Sequence, residues 1–445
     1  MVKPELDVNL PSAGMPAEGI DERGDRMSGK NFIRLLLVML MGLGVTVPAE
    51  ADVYFQCPTT PGGSFIDSNG DGMIRADDGE ITGAVTPNQV CMHLSSGDGF
   101  VNMADKLLDP DGDGFGHSQY MFGFSNVTGI PDSLVMETGM VHAEFPAPTI
   151  RIKENDEFYL TLTNVGMMLR PDLFDPHTVH FHGFPNASAI FDGVPDDSIS
   201  INMGSSLTYY YNIKDPGTYM YHCHVEAAEH MQMGMLGNLY VEPAQDGTPI
   251  SYNGRTYTQF AYNDGDGSTG YDVAYPIQVS SFDPNFHDQH IAVQPLPFAF
   301  MTDQYPMING RGYPDTLNPA EMANSFDGNT SQKVNSIITA DQGERILLRV
   351  SSLITTNFVT LSVQGIPMQI VGNGARKLGP VGDTSQYYMT NSISLGGGEA
   401  IEVILDTDGV APGTYFLYAT NVDHLANFQE DYGGMMTEIV INATP

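Results

Sequence analysis

The sequence predicts an all-β protein in which a small, loop-rich N-terminal segment precedes two similar β-sandwiches. Short runs of alternating apolar and polar residues, separated by Gly, Pro and Asn-Asp clusters, recur from about residue 136 to the end of the chain. Such spacing is typical of sandwiches and barrels, and the 48 Gly and 29 Pro favour turns over helices. The chain has 445 residues. Because a typical domain has only ~100–150 residues, more than one core is expected.

The predicted strands fall into two groups. Side chains two residues apart lie on the same face of a strand, so alternation identifies each run. A polar linker at 243–254 separates the groups. The predicted strands span residues 149–153, 157–163, 178–182, 206–212, 218–223 and 238–241, and then 256–262, 345–350, 359–363, 401–405, 414–419 and 436–441.

The two groups resemble each other, which predicts a duplicated domain. PAPTIRIKENDEFYLTLTN at 146–164 corresponds to IITADQGERILLRVSS at 337–352, and DPGTYMYHCH at 215–224 corresponds to APGTYFLYAT at 411–420. We therefore expect four parts of the chain. They are a leader at 1–51, an acidic segment at 52–130, one sandwich at 131–245 and a second sandwich at 250–445.

The charge balance excludes one class of partner. Lys and Arg number 18 against 54 Asp and Glu, for a net charge of −36. Proteins that bind nucleic acid through phosphate contacts need a basic surface, so no nucleic-acid partner is expected. The acidic balance suits cations or a cationic redox partner instead. With 41% hydrophobic and 16% charged residues, the chain is neither a disordered acidic tail nor a membrane bundle.

Residues 30–51 have the parts of an export signal. Lys30 and Arg34 flank an apolar run at 35–47, and the small-residue site Ala49-Glu50-Ala51 follows. The run is well short of the ~20 residues that span a bilayer as a helix. We expect cleavage near Ala51 and a periplasmic or secreted protein. An uncleaved anchor is the alternative, and Met27 is an alternative start.

The three cysteines have different expected roles. An exported protein meets an oxidising environment, where cysteines are paired or bound to metal. Cys57 and Cys91 lie on either side of a compact acidic stretch within the segment 52–130 and are expected to form a disulfide across it. Cys223 is then left over, and an odd cysteine indicates another role.

Histidines surround this odd cysteine. The segments HTVHFHG at 177–183 and HCH at 222–224, with His230 after them, hold six of the 12 histidines, and Met235 follows. On a strand, His222 and His224 share one face, while Cys223 points to the other. One segment can therefore serve two adjacent metal sites. A thiolate, two imidazoles and a thioether are the ligands of a blue-copper site, in which Met is the weak axial ligand.

These segments resemble the cupredoxin domains of multicopper oxidases. The resemblance covers roughly residues 140–445 and includes DGVP at 192–195 and INGRGYP at 308–314. It implies tandem cupredoxin-like Greek-key sandwiches and copper as cofactor. It makes His177, Cys223, His230 and Met235 the type 1 copper ligands, and His180, His182, His222 and His224 the catalytic ligands of a type 2/type 3 copper cluster.

The sequence departs from the family pattern in three places. Thr178 stands where the family has proline, and five residues rather than three separate His224 from His230, as in copper nitrite reductases. The second sandwich has SVQG at 362–365 and ATN at 419–421 where further ligands would lie. It therefore resembles the copper-free middle domain of three-domain members. Either a neighbouring subunit completes the cluster, which favours a homo-oligomer, or a single type 2 copper replaces it, or the protein only carries electrons.

The other six histidines lie outside these two segments, and none is expected to be a main copper ligand. His287 and His290, in HDQH, are expected in a surface loop, with spare ligands as the alternative. His93, His117, His142 and His424 are expected to have structural roles or none.

The N-terminal segment contains a candidate calcium loop that resembles dockerin-type and EF-hand loops. Oxygen ligands would come from side chains at positions 1, 3, 5 and 12 and from a backbone carbonyl at position 7, with Gly72 at position 6. The five ligand residues are Asp67, Asn69, Asp71, Met73 and Asp78. A second acidic run at 109–114 begins similarly but has Tyr120 at position 12, so a plain acidic turn is an equal alternative.

These features predict an exported copper-dependent oxidoreductase. Electrons would pass from a type 1 copper to a histidine-bound copper centre, with dioxygen as acceptor. The donor would be a small molecule such as a phenol, a metal ion or a redox protein. A nitrite-reductase-like enzyme is the alternative, in which His182 and His222 bind type 2 copper and His180 takes the acid/base position. The non-enzymatic alternative is a copper-binding electron-transfer protein.

Overall fold

The computed structural model of the protein describes residues 54–105, 117–292 and 296–443. The predicted export signal and the acidic run at 109–114 lie outside these residues. Within them, no helix is long and apolar enough to cross a membrane.

The N-terminal segment contains more regular structure than its sequence indicates. The 14 residues of its fourth strand read as loop sequence (SSGDG in the middle), yet 13 of them are buried. This strand pairs in parallel with a strand of the first sandwich, and the fifth strand pairs with it in turn. Burial on both faces removes the alternation that would have revealed it. The elements are β1 Thr59–Phe65, β2 Ile74–Arg75, β3 Ile81–Ala84, β4 Gln89–Asn102, β5 Ser118–Asn126 and α1 Asp132–Gly139.

The first sandwich packs two sheets face to face. Its own elements are β6 Ala147–Lys153, β7 Glu157–Gly166, β8 His180–His182, β9 Ser206–Asn212, β10 Gly217–His222, α2 Ala227–Gln232 and β11 Leu236–Glu242. One sheet has the order β6-β11-β10-β8, and the other has the order β2-β4-β7-β9 with β5 on β4. Aromatic rings fill the space between the sheets; Phe181, for example, stacks on Tyr211 at 4.7 Å.

The second sandwich repeats this arrangement. The order β20-β28-β27-β22 in one sheet matches β6-β11-β10-β8, and β25 extends it; the other sheet has the order β17-β16-β21-β26-β23-β24. The first strand of each matched set pairs in parallel with the last strand of its own sandwich. The duplication and the all-β fold predicted from the sequence are therefore confirmed. Starting with the linker, the elements are β12 Ile250–Tyr252, β13 Arg255–Tyr257, β14 Gln259–Phe260, β15 Gly270–Tyr271, β16 Val273–Phe282, α3 Pro284–Ala292, β17 Tyr305–Ile308, β18 Met322–Ala323, β19 Thr330–Gln332, β20 Ile338–Asp341, β21 Arg345–Ser352, β22 Val359–Val363, β23 Met368–Asn373, β24 Tyr388–Thr390, β25 Ser392–Leu395, β26 Glu399–Asp406, β27 Gly413–Ala419 and β28 Met436–Asn442. Short 3₁₀ helices lie at Ala189–Phe191, Phe298–Phe300, Asp315–Leu317 and Val422–His424.

A buried polar network joins the two sandwiches. The Thr218 amide donates to Glu402 Oε1 at 2.8 Å, and Arg349 Nη1 donates to the Thr218 hydroxyl at 3.3 Å. Ser351 donates to Asn238 Oδ1 at 2.7 Å. Arg349 and Glu402 are 1% and 0% exposed. Buried charges are tolerated only when they are paired or hydrogen-bonded. The network therefore holds β10, which ends at His222, against the second sandwich.

The predicted disulfide is confirmed. Cys57 and Cys91 are bonded, with Cα atoms 5.6 Å apart, while Cys223 is free and buried. Close to this disulfide, the buried ring of His93 stacks on Phe55 at 5.1 Å. Its Nε2 lies 2.7 Å from the Thr163 hydroxyl. A structural role for His93, as expected from the sequence, agrees with these contacts.

His93 should make the protein acid-sensitive. Burial lowers the pKa of His93 to about 4, whereas an unfolded histidine titrates near ~6.5. Below pH ~6.5 the unfolded chain therefore binds the extra proton, and stability falls as the pH falls towards 4. The loss from this residue is about 3 kcal/mol at most, at ~1.4 kcal/mol per pKa unit.

Urea unfolding of wild type and His93→Gln from pH 7 to 4 measures how much His93 contributes to the loss of stability in acid. The difference between their free energies of unfolding should shrink on the acid side, because the variant has no imidazole to protonate. His142→Gln, at an exposed position, is the control and should parallel wild type. Parallel curves for His93→Gln as well would contradict the assignment.

Candidate metal centres

The structure brings the leftover cysteine together with two predicted ligands. The Cys223 Sγ lies 3.2 Å from His230 Nδ1 and 3.7 Å from His177 Nδ1. The ligand atoms of these three residues all lie within 4.8 Å of one another, and all three side chains are fully buried. Both rings therefore turn the same nitrogen towards the sulfur, as a shared metal ion requires.

Different elements position the three residues. Cys223 directly follows β10, and its amide donates to the Met235 carbonyl at 3.2 Å. His177 precedes β8 and forms a bridge with Ile201. His230 lies in α2. Met235 is fully buried, and its amide donates to the His230 carbonyl at 2.8 Å. The fourth predicted ligand is thus tied through its backbone to two of the others.

The burial of this site favours a bound cation. Desolvation lowers the pKa of His230 to about 3 and that of His177 well below its usual value, so both imidazoles keep a free lone pair. Burial raises the pKa of the Cys223 thiol to about 11, although the Thr178 amide, 3.5 Å from the sulfur, opposes this rise. A metal ion would replace the thiol proton and supply the positive charge that the buried thiolate lacks. The residues present therefore fit a copper ion.

The side chains of four histidines lie on the face of residues 222–224 opposite to the Cys223 sulfur. They are His180, His182, His222 and His224. Antiparallel pairing of β8 with β10 places His180 opposite His222 and His182 opposite Met220. Ligand atoms of His180, His182 and His222 lie within 4.8 Å of one another. The His224 ring centroid is 5.0 Å from that of His180 and 5.6 Å from that of His222. The predicted cluster residues therefore converge, with three of them close enough to share one ion.

Backbone carbonyls set the orientation of two of these rings. His180 Nδ1 lies 2.6 Å from the Asp192 carbonyl, and His222 Nδ1 lies 2.9 Å from the Cys223 carbonyl. A proton on each Nδ1 leaves Nε2 with its lone pair, and metal-binding histidines are commonly oriented this way. Desolvation lowers the pKa of His222 to about 3 and lowers that of His182 too. Neutral imidazoles of this kind are suited to copper.

The second sandwich covers this cluster. The four rings line a cavity of about 680 Å³, and its opposite wall consists of residues 353–358 and 396–399. A Cβ at Gly398, where φ is +88°, would lie 2.6 Å from His182 Nε2, so only glycine allows this approach. Sequence reasoning missed this wall; the run Gly396-Gly397-Gly398 was its one visible signal. Ser362 and Gln364 do not line the cavity. The lining residues that the second sandwich contributes, all in the described part of the chain, include no histidine or cysteine.

The expectation that His287 and His290 lie in a surface loop is wrong. Both lie in α3 and are fully buried against the first sandwich. Short helices between strands are difficult to recognise in sequence, because one or two turns carry too little periodicity.

The candidate calcium loop forms a compact turn. Asp67 accepts hydrogen bonds from the amides of Gly70 and Gly72 at 2.8 and 3.1 Å, and Asn69 accepts one from the Asp71 amide at 2.8 Å. The Met73 amide donates to Asp71 Oδ1 at 2.8 Å. Asp78, however, is exposed. Among the described residues, Asp67, Asp71 and Asp78 do not gather within 4.8 Å as a group of three.

Glu80, which sequence reasoning missed, closes this loop instead. It accepts from the Ser68 amide at 2.8 Å and from the Arg75 amide at 3.2 Å. Burial would raise the pKa of Glu80, but the hydrogen bonds from Ser68 and Arg75 outweigh this and lower it. Glu80 lies two residues beyond the twelve-residue pattern, so the spacing rule did not select it.

A fully buried group of two histidines and a cysteine inside one of two similar sandwiches defines a cupredoxin-type copper protein. Two family models described as multicopper oxidase match residues 126–246 and 286–436. Together they cover more than half of the chain, which therefore belongs to the multicopper oxidase family, a family of copper-dependent oxidoreductases.

Individual relatives are distant. An L-ascorbate oxidase of Cucurbita pepo var. melopepo is 23% identical over 310 residues, which are 65% of this chain and 47% of that protein. A laccase of Aspergillus fumigatus is 34% identical over 118 residues, 26% of this chain and 19% of that one. The chain thus spans about half the length, or less, of the curated relatives it matches.

Solved structures share the fold. The blue copper oxidase from Nitrosomonas europaea aligns with a TM-score of 0.56 at 21% identity, over 79% of this chain and 86% of that chain. The copper nitrite reductase from Nitrosomonas europaea aligns with a TM-score of 0.52 at 17% identity, over 80% and 94%. The predicted cupredoxin-like sandwiches are confirmed by these alignments.

Replacing the buried thiol tests the first centre. Cys223→Ser should lose the intense thiolate-to-copper absorption, because a hydroxyl is not a soft ligand. Ser is close to Cys in size, so circular dichroism should match that of wild type. Met235→Leu is the comparison variant; it should keep the colour and raise the reduction potential, since a Met ligand would be axial. Blue colour in Cys223→Ser would refute the assignment.

Proposed function

We propose that this protein is an exported copper-dependent oxidoreductase that passes electrons from a copper at Cys223 to a copper held by His180, His182 and His222, with dioxygen as the acceptor. The observation that carries this proposal is the position of the two ligand groups on opposite sides of one peptide, His222-Cys223-His224. Covalent bonds through this peptide offer a short path between them.

Copper, when bound, would supply a one-electron centre at the thiolate and an acceptor-binding centre at the imidazoles. The surrounding chain has two tasks in this proposal. At the thiolate, full burial of His177, Cys223 and His230 excludes water. At the imidazoles, the carbonyls of Asp192 and Cys223 hold the rings of His180 and His222 by Nδ1, and the cavity leaves room for a small acceptor.

A single copper at the imidazoles is favoured within one chain. The wall of the cavity that belongs to the second sandwich has hydroxyl, amide, apolar and glycine residues and one carboxylate, Glu399, but no imidazole in the described residues. If dioxygen is reduced at a larger cluster, further histidines must come from another chain. We therefore propose that the protein forms a homo-oligomer. The donor is proposed to be a small molecule, a metal ion or a redox protein.

A nitrite-reductase-like reaction is the second candidate. It is favoured by the contact between His180 Nδ1 and the Asp192 carboxylate at 3.6 Å, beside the pair formed by His182 and His222. In that reaction His182 and His222 would bind the metal, and His180 would carry a proton to the acceptor. An electron-transfer protein without enzymatic activity is the remaining alternative.

Metal content and electron-spin spectra of the purified protein test the function. We expect one type 1 and one type 2 copper per chain and oxygen consumption with a phenolic donor. His182→Ala should lose the type 2 signal and at least 90% of turnover, by analogy with the roughly 10²-fold or greater effect of removing a catalytic group, while the blue band persists. His142→Ala, at an exposed histidine, is the matched control. One blue copper per chain without activity would support a non-enzymatic electron-transfer protein. About four coppers per chain would support the larger cluster. Nitrite-dependent turnover without oxygen uptake would support the nitrite-reductase-like reaction.

Calcium is proposed to stabilise the loop at residues 67–80. Removing it with a calcium-selective chelator should speed proteolytic cleavage in this loop without bleaching the copper, because the loop contributes no copper ligand. Asp67→Ala should be cleaved rapidly with or without chelator. Asp266→Ala, in another Gly/Asp turn, should stay chelator-sensitive like wild type. Equal cleavage of wild type in both conditions would show that the loop binds no calcium.

A further inference from the structure

Helix α2, which carries His230, cannot hold its own position. It has only six residues, and helices of this length are unstable without tertiary contacts. The residue that begins it, Glu226, has φ +46° and makes no side-chain capping bond. A left-handed backbone at a residue other than glycine persists only where the surroundings impose it. The position of His230 must therefore be set from outside the helix.

The surroundings that do this belong to the second half of the chain. His290 Nε2 lies 2.9 Å from Glu229 Oε1. The ring nitrogens of His287 lie 2.5 Å from the Tyr120 carbonyl and 2.9 Å from the Gln232 carbonyl. Whichever nitrogen carries the proton, His287 lies between β5 and the last residue of α2.

The side chain of Gln232 makes two more contacts of this kind. Its Nε2 donates to Asp303 Oδ1 at 3.2 Å, and its Oε1 accepts from the Thr355 hydroxyl at 2.8 Å. Gln232 is 1% exposed. Residues outside the first sandwich therefore contact the last turn of α2 at both of its ends, Glu229 and Gln232.

Helix α3 also contacts the segment that precedes the other histidine ligand. Arg170 Nη1 donates to the His290 carbonyl, and Arg170 pairs with Asp172 at 2.7 Å. The Phe122 ring lies between the two regions, 5.8 Å from the His230 ring and 4.9 Å from the His290 ring. Helix α3 therefore contacts the chain on both sides of the thiolate site.

We infer that α3 is a clamp that positions His230 for copper, with His290 and His287 as its positioning residues. The inference rests on the proposed function. It gives the metal-free second sandwich a task in the chemistry, namely to hold a ligand of the first. It also accounts for the fully buried imidazole of His287, since buried polar groups need partners and the carbonyls next to this ring belong to α2 and β5.

The five residues between His224 and His230 make such a clamp necessary. A shorter connection would leave the ligand little freedom, whereas this segment includes the left-handed residue Glu226 and the first three residues of α2. Each added residue has backbone freedom that folding must remove. Contacts from α3 restrict this backbone freedom at Glu229 and Gln232, on either side of His230.

The test compares copper-loaded wild type with His290→Ala and Glu229→Gln. We expect both variants to fold, to keep a thiolate-to-copper band that is shifted in wavelength, and to show a changed copper hyperfine splitting. Their dissociation constant for copper at this site should rise about 10- to 100-fold, as for other residues that orient metal ligands. Glu229→Gln keeps the size of the side chain and guards against loss of folding in His290→Ala.

Two further variants separate positioning from stability. His290→Gln retains an N–H donor and should recover part of the affinity and spectrum. His93→Gln changes a buried histidine whose contacts lie elsewhere, so it should lower stability without moving the band. Unchanged bands and affinities in folded His290→Ala and Glu229→Gln would overturn the clamp. A wild-type protein without a thiolate-to-copper band would refute the proposed function instead.

Discussion

Both metal centres depend on the alternation of side chains at residues 222–224. Because Cys223 points into the sandwich, its sulfur meets His177 and His230 in a fully buried space. Because His222 points the other way, its ring meets His180 and His182 at the cavity. A shift of register by one residue would exchange the two faces and destroy both sites. Pairing of β10 with β8 and β11 prevents this shift.

In the described residues, the second sandwich contributes no histidine or cysteine to the cavity lining, but it shapes the surroundings of both candidate metal centres. Its loops at 353–358 and 396–399 form one wall of the cavity, and the buried pair of Arg349 and Glu402 holds it against β10. Through α3 it contacts the helix that carries His230. In the described residues, the side chains that converge on the candidate metal centres thus belong to one sandwich, and the other contributes to their surroundings.

Local patterns were sufficient for the repeated fold and for the side chains that converge on the candidate metal centres. Alternation and turn residues predicted strands β6 to β11 of the first sandwich and five strands of the second, β21, β22, β26, β27 and β28. The matching segments predicted the duplication. The histidine–cysteine motifs selected residues that the structure does bring together. Buried elements were harder: β4 is covered on both faces and has no alternation, and α3 is too short to show a helical period. Glu80, two residues beyond the twelve-residue pattern, accepts backbone hydrogen bonds in the candidate calcium loop, which a spacing rule does not reveal. Asp78 as a calcium ligand stays a prediction.

The sequence by itself determined which atoms could bind metal and on which face of its strand each would lie, because side-chain direction in a strand follows from the backbone period of two. Only the tertiary structure decided what stands opposite those atoms. Gly398 against His182, Glu229 against His290, and Gln232 between Asp303 and Thr355 join residues far apart in the chain. Such contacts depend on how two complete domains pack, and no local pattern records that packing.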